Sequence, residues 1–163
     1  MKWDEDEGKE FRTRGHLVIT ATELDAARDG KLFEFTRPTF ELLKERGIAS
    51  GVITRNISAA VRVVFPEIEE MAQTFVPREI ACKVKPDPAH LFQALDCVGA
   101  AAANSLMVGD HPMDVQTAKN AGALSAAVTS GNVDAAGFAH LNPDFIAEDV
   151  GQLMQQLEVK GLV

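Results

Sequence analysis

Short apolar runs separated by segments of helical spacing dominate the chain from residue 37 onward. Pro38 suits a first helical turn, and Phe40, Leu42, Leu43 and Ile48 form an apolar stripe broken by Glu41, Lys44, Glu45 and Arg46, which predicts a helix closed by Gly47. Residues 48–54 read as a buried strand, and Asn56-Ile57-Ser58 begins a helix that runs toward Phe65-Pro66. The same beat continues: strands at 74–76, 105–108, 124–128 and 144–146, helices at 88–98, 112–120 (ended by Gly122) and 150–157. A parallel crossover needs a connection about as long as a helix, so this alternation predicts an α/β domain with a doubly wound, Rossmann-like parallel sheet and helices on both faces.

The N-terminal part has a different texture. Its first fifteen residues are polar and charged, with Trp3 and Phe11 as the large apolar groups, and suggest an arm or a surface helix. The β-branched run His16-Leu17-Val18-Ile19-Thr20 predicts a short strand, and Thr22 to Arg28 a helix ending near Asp29-Gly30. The chain thus divides into an arm over 1–36 and a core domain over 37–163.

Charge and cysteine usage narrow the function. A formal charge of −8 over 163 residues argues against nucleic acid, whose binding needs a basic face to displace counterions. It does not exclude a small anion held locally by a metal ion and a few cations. The start of the chain lacks the apolar run of a signal peptide and no later stretch is long enough to span a bilayer, so no membrane partner is expected. Cys82 and Cys97 have no metal-site spacing; their expected state is reduced and buried, which suits the cytoplasm.

In open sheets of this class, ligands bind beyond the carboxyl ends of the strands. Thr54 follows the run Gly51-Val52-Ile53, Lys85 lies in Lys83-Val84-Lys85-Pro86-Asp87-Pro88, and Asp110 follows Leu106-Met107-Val108-Gly109. Asp114 comes one helical turn after Asp110, so both carboxylates can face one pocket. A hydroxyl and an ammonium suit phosphate oxygens, and paired carboxylates suit Mg²⁺, which takes hard oxygen ligands. Each residue alone has a plainer explanation: Thr54 and Asp110 as helix caps, Lys85 as a solvated cation, Asp114 as an exposed helix residue. The ordered combination carries the chemistry.

That combination resembles the haloacid dehalogenase-like superfamily, across roughly residues 37–157. The family's hydroxyl motif is similar to Val52-Ile53-Thr54-Arg55-Asn56, its lysine motif to Lys85-Pro86-Asp87-Pro88, and its acidic motif to Val108-Gly109-Asp110-His111-Pro112-Met113-Asp114. Among its members the chain is most like phosphoglycolate-phosphatase-like and phosphosugar-phosphatase-like proteins. The resemblance implies Thr54, Arg55, Asn56 and Lys85 as phosphate-binding residues, with Thr54 and Lys85 serving catalysis. It implies Asp110 as a Mg²⁺ ligand and Asp114 as a ligand or its support. The implied activity is Mg²⁺-dependent hydrolysis of a small phosphomonoester, with a minimal or incomplete cap.

The family's first motif, a hydrophobic strand ending in Asp-x-Asp whose first Asp is the nucleophile, has no clear copy. Three alternatives stay open: Leu17-Val18-Ile19 as the strand with Thr20 and Thr22 in the two Asp positions; a strand upstream of Met1, with the residues before Pro38 as the tail of a helical cap; or a displaced motif at Asp4 and Asp6. Without a positioned carboxylate the covalent route is closed, so impaired activity is expected. The rival class is a non-catalytic phosphate-binding or protein-interaction module on the same fold. A phosphoacceptor receiver domain joins the same residue types in another order, with its acceptor Asp ahead of Thr and Lys. Oligomeric state is not legible from these residues.

Overall fold

A computed structural model describes residues 5–163, and Met1 to Asp4 lie outside the described residues. Among the described residues there are five short strands, and every pairing between them is parallel: β1 (Gly51–Ile53), β2 (Thr74–Val76), β3 (Leu106–Gly109), β4 (Leu124–Val128) and β5 (Phe145–Ala147). Around them lie α1 (Glu5–Asp29), α2 (Thr36–Glu45), α3 (Ser58–Val64), α4 (Ile68–Met71), α5 (Ala89–Val98), α6 (Pro112–Ala121), α7 (Ala135–Phe138) and α8 (Val150–Val159).

Alternation along the strands sends successive side chains to opposite faces and so builds a core on each side. On one face, Met107 packs with Leu91 and Leu95 of α5 and Ala118 of α6, and Ile53 joins the same cluster. On the other, Ala126, Val128, Phe145 and Ala147 meet Leu153, Met154 and Leu157 of α8, with Leu42, Leu43 and Leu106 packed against them. Val52 and Phe75 add to a further cluster around Phe65, Ile68 and Ala72. Helices therefore cover both faces of parallel strands, as the alternation of apolar runs predicts.

The hydrogen bonding divides the strands into two sets, β1-β2 and β3-β4-β5. They lie side by side: Ile53 shares a cluster with Met107, and α5, beneath β1 and β2, touches α6, beneath β3 and β4. Thr54 N–H donates to Val76 O, so the backbone groups of Gly51 and Ile53 point away from β2. Leu124 N–H donates to Ser105 O, so those of Leu106 and Val108 point away from β4. The single continuous sheet expected from the sequence is thus interrupted between β1 and β3. Val108 is 38% exposed there, an unusual value for an interior strand of this class.

The predicted strand at residues 16–20 does not form. Those residues lie inside α1, a helix of 25 residues that packs against α3, with Leu17, Val18 and Ile19 at 65, 66 and 47% exposure. Propensity for a strand lost to context: Thr13 and Thr22 return hydroxyl bonds to carbonyls four residues back, and Arg14 pairs with Glu10 at 2.6 Å. Thr20 and Thr22 therefore occupy no strand end, which removes the first of the three alternatives. For the displaced motif, Asp6 is in the first turns of α1 rather than in the sheet, and Asp4 falls outside the described residues. Cys82 and Cys97 are free thiols but exposed rather than buried, one in the turn after β2 and the other on the solvent side of α5.

Candidate functional site

The residues singled out by sequence gather on one rim, where β1, β2 and β3 end. The best-defined contact is between Lys85 and Asp114, Nζ to Oδ1 at 2.7 Å, with side chains only 16 and 6% exposed. The other oxygen of Asp114 accepts the backbone N–H of His111 at 3.1 Å. Both oxygens are thus engaged and the carboxylate is buried, which contradicts the simple view of Asp114 as an exposed helix residue.

The start of α6 shapes this corner. His111, not Asp110, is its N-cap: Nδ1 accepts Met113 N–H at 3.1 Å, while Asp114 reaches back in a capping box and Pro112 takes the first helical position. Asp110 is left at the bend between β3 and α6, exposed, with no hydrogen-bond partner for its carboxylate among the described residues. Two glycines make room for the acids. A Cβ on Gly109 would overlap the Asp114 carboxylate, and one on Gly131, in the loop after β4, would overlap that of Asp110. Gly109 sits inside the acidic motif, but no local pattern marks Gly131, which comes from a different crossover.

Thr54 is partly buried, and its hydroxyl oxygen accepts Asn56 N–H at 3.1 Å, a local turn that orients the side chain while leaving its proton able to donate. Arg55 and Asn56 are exposed. The Arg55 guanidinium reaches Met113 Sδ at 3.3 Å, a weak acceptor, which brings the loop after β1 against the start of α6. Asn56 O accepts Arg78 N–H, fixing the loop after β1 to that after β2. Glu23 of α1 reinforces the same region, accepting Ile57 N–H at 3.0 Å and pairing with Arg78.

The Lys85 loop is fastened from several sides. Asn120 donates to Pro86 O at 3.0 Å, and Asp87 accepts Ala89 N–H at 3.0 Å. That backbone bond, then Lys83, holds the Asp87 carboxyl below its usual range. His90, fully buried on α5, contacts Lys85 N and Val76 O. Burial, seconded by the charge of Lys85, holds its imidazole below the ordinary histidine value, against the opposing pull of the Val76 carbonyl.

Asp110 is a hard oxygen donor open to solvent, and Asp114 lies behind it with both oxygens committed. Among the described residues no cluster of three or more His, Cys, Asp or Glu could hold a metal. A pair of this kind fits Mg²⁺ in its usual manner, in which one or two protein carboxylates share the ion with water and phosphate oxygens.

No helix among the described residues is long and apolar enough to cross a membrane. A model of the haloacid dehalogenase-like hydrolase family matches residues 9–128. The chain is 39% identical over 148 residues to a phosphoglycolate phosphatase of Vibrio cholerae, covering 90% of this chain and 66% of that protein. It is 33% identical over 123 residues to a phosphoglycolate phosphatase of Pseudomonas syringae, covering 72% of this chain and 44% of the relative. The crystal structure of CbbY from Rhodobacter sphaeroides in complex with phosphate superposes with a TM-score of 0.68 at 19% identity, over 82% of this chain and 62% of that one. The chain spans about half the length of the curated relatives it matches.

Proposed function

The chain belongs to the haloacid dehalogenase-like hydrolase family, and on that premise we propose that it provides the phosphate- and Mg²⁺-holding part of a phosphatase for a small phosphomonoester. The observation that carries this is the buried Lys85–Asp114 pair at the strand ends, beside an Asp110 carboxylate left open to solvent. Burying two charges is costly unless they are paired, and such a pair holds an ammonium in place where exposed lysines wander. The phosphatase names of the relatives support the same assignment.

In this reading Thr54 donates its hydroxyl proton to a phosphoryl oxygen, with Asn56 N–H holding the hydroxyl in orientation. Lys85 neutralises a second oxygen, and Asp114 holds Lys85 in place and supports the metal side. Arg55 and Asn56 line the outer approach. Mg²⁺, held by Asp110 and backed by Asp114, supplies charge neutralisation on the phosphoryl oxygens when bound. Phosphoryl transfer depends chiefly on such placement and neutralisation. Residues 37–163 form the core and 1–36 an arm akin to the end of a helical cap, and the setting is cytoplasmic.

The covalent step requires a carboxylate nucleophile, and α1 occupies the stretch where the sequence offered a strand. The interval between β1 and β3, across which neither strand pairs with another among the described residues, is where a parallel strand ending in two carboxylates belongs. The same observation favours a second reading, a non-catalytic phosphate-binding or interaction module. Hydrolysis of p-nitrophenyl phosphate with Mg²⁺ separates them. Turnover above background, abolished by Asp110→Ala and Lys85→Ala, establishes the hydrolase; a folded chain that binds orthophosphate without turnover establishes the module. A folded chain that neither turns over nor binds orthophosphate contradicts both.

A further inference from the structure

One buried side chain joins the two residues assigned to the anion. The Val76 carbonyl oxygen at the end of β2 accepts Thr54 N–H at 3.2 Å and lies 2.9 Å from His90 Nε2. A carbonyl cannot donate, so Nε2 carries the proton, which leaves Nδ1 with a lone pair for Lys85 N–H at 3.3 Å. The two contacts require the neutral Nε2–H tautomer. A continuous hydrogen-bonded path therefore runs from the backbone of Thr54 through Val76 and the imidazole to the backbone of Lys85.

We propose that His90 is a positioning residue that fixes the separation between Thr54 and Lys85, and through it the width of the phosphoryl seat. This rests on the assignment of those two residues to the phosphoryl oxygens. His90 is fully buried, with apolar Leu91, Ala94 and Leu95 buried on the same helix, where an apolar side chain would satisfy packing alone. A ring with two polar nitrogens is tolerated in such a place only when both are satisfied, and here both are committed to the loops that carry the site. Of the other fastenings of the lysine loop, Asn120 on Pro86 and Asp87 on Ala89 hold its neighbours and Asp114 holds the Lys85 ammonium; the His90 contact is made to the backbone of Lys85.

The test is calorimetric titration of the full chain with orthophosphate in the presence of Mg²⁺, with urea unfolding of each variant alongside. His90→Phe keeps a ring but removes both polar contacts, His90→Asn keeps an acceptor near the Nδ1 position, and His90→Gln reaches toward Val76 instead. Loss of the contact to Lys85 is expected to weaken orthophosphate binding about three- to tenfold in His90→Phe, with His90→Asn restoring more of it than His90→Gln at matched stability. A folded His90→Phe that binds as tightly as the parent, or a His90→Asn that restores nothing, overturns the proposal. Should His90→Phe fail to fold, imidazole ¹⁵N shifts of the parent decide. A protonated Nε2 and a bare Nδ1 that shifts on adding orthophosphate sustain the proposal, and the opposite tautomer or an unmoved Nδ1 refutes it. Lys85→Ala serves as the control: if it too leaves binding unchanged, the assignment of Lys85 has failed, whereas its loss of binding beside an unaffected His90→Phe sinks the role of His90 alone.

Discussion

Two aspartates four positions apart carry different loads. Asp114 neutralises a buried ammonium and caps α6, so Asp114→Ala leaves Lys85 without its counter-charge; a loss of roughly 3 kcal/mol is expected for breaking a buried pair. Asp110 is exposed and its carboxylate takes no hydrogen bond among the described residues, so Asp110→Ala should change stability by no more than about 0.5 kcal/mol. Urea unfolding of the two variants measures the contrast, and equal losses would show that Asp110 is structurally bound after all. At this scale the sequence was informative about residue type and silent about partners. The order of Thr54, Lys85, Asp110 and Asp114 after apolar runs pointed to one rim. The need for Gly131 was invisible, because it depends on a loop from another crossover approaching Asp110. His90 was equally hidden, since a lone histidine on a helix says nothing of which carbonyl and which N–H its ring will meet.

Among the elements, those expected from 37 onward are present because periodicity and breakers agree there, while α4 and α7, four residues each, are too short to leave a periodic signal. Gly47 and Gly122 both have positive φ, 68° and 74°, at the ends their helices were expected to have. Before residue 30 the helix expected over 22–28 and its end near Asp29-Gly30 form the last turns of α1, whereas the apolar run Leu17-Val18-Ile19, with the composition of a strand, is helical because it sits between helix-forming stretches. What anchors the resulting helix is polar: Glu23 takes the Ile57 N–H and pairs with Arg78, both side chains of the pair being mostly buried. Glu23→Ala should therefore loosen α1 from the core at a cost of about 2 kcal/mol. The expected sign is faster amide exchange and proteolysis across residues 9–29, with the strands unaffected. Unchanged protection of that helix would mean that apolar packing on α3 holds it unaided.

For the molecule as a whole, the parallel α/β architecture was legible because helical segments separate the short apolar strands after the arm, and parallel strands need helical crossovers. The interruption between β1 and β3 was not, since pairing partners are set by tertiary arrangement, which no local pattern encodes. It has a measurable consequence. Amides of Ile53, Leu106 and Val108, which point away from their partner strands, should exchange faster than those of Val52 and Met107, which point toward them. Uniform protection along both strands would mean that β1 and β3 pair in solution and the sheet is continuous.

The most direct measurement is a titration of ¹⁵N-labelled chain with orthophosphate and Mg²⁺, followed by amide chemical shifts. If the rim at the strand ends holds a phosphoryl group, the shifts concentrate at residues 54–56, at Lys85 and at 110–114, and Lys85→Ala removes them. Shifts confined to other surfaces, or none with the fold intact, would contradict the account.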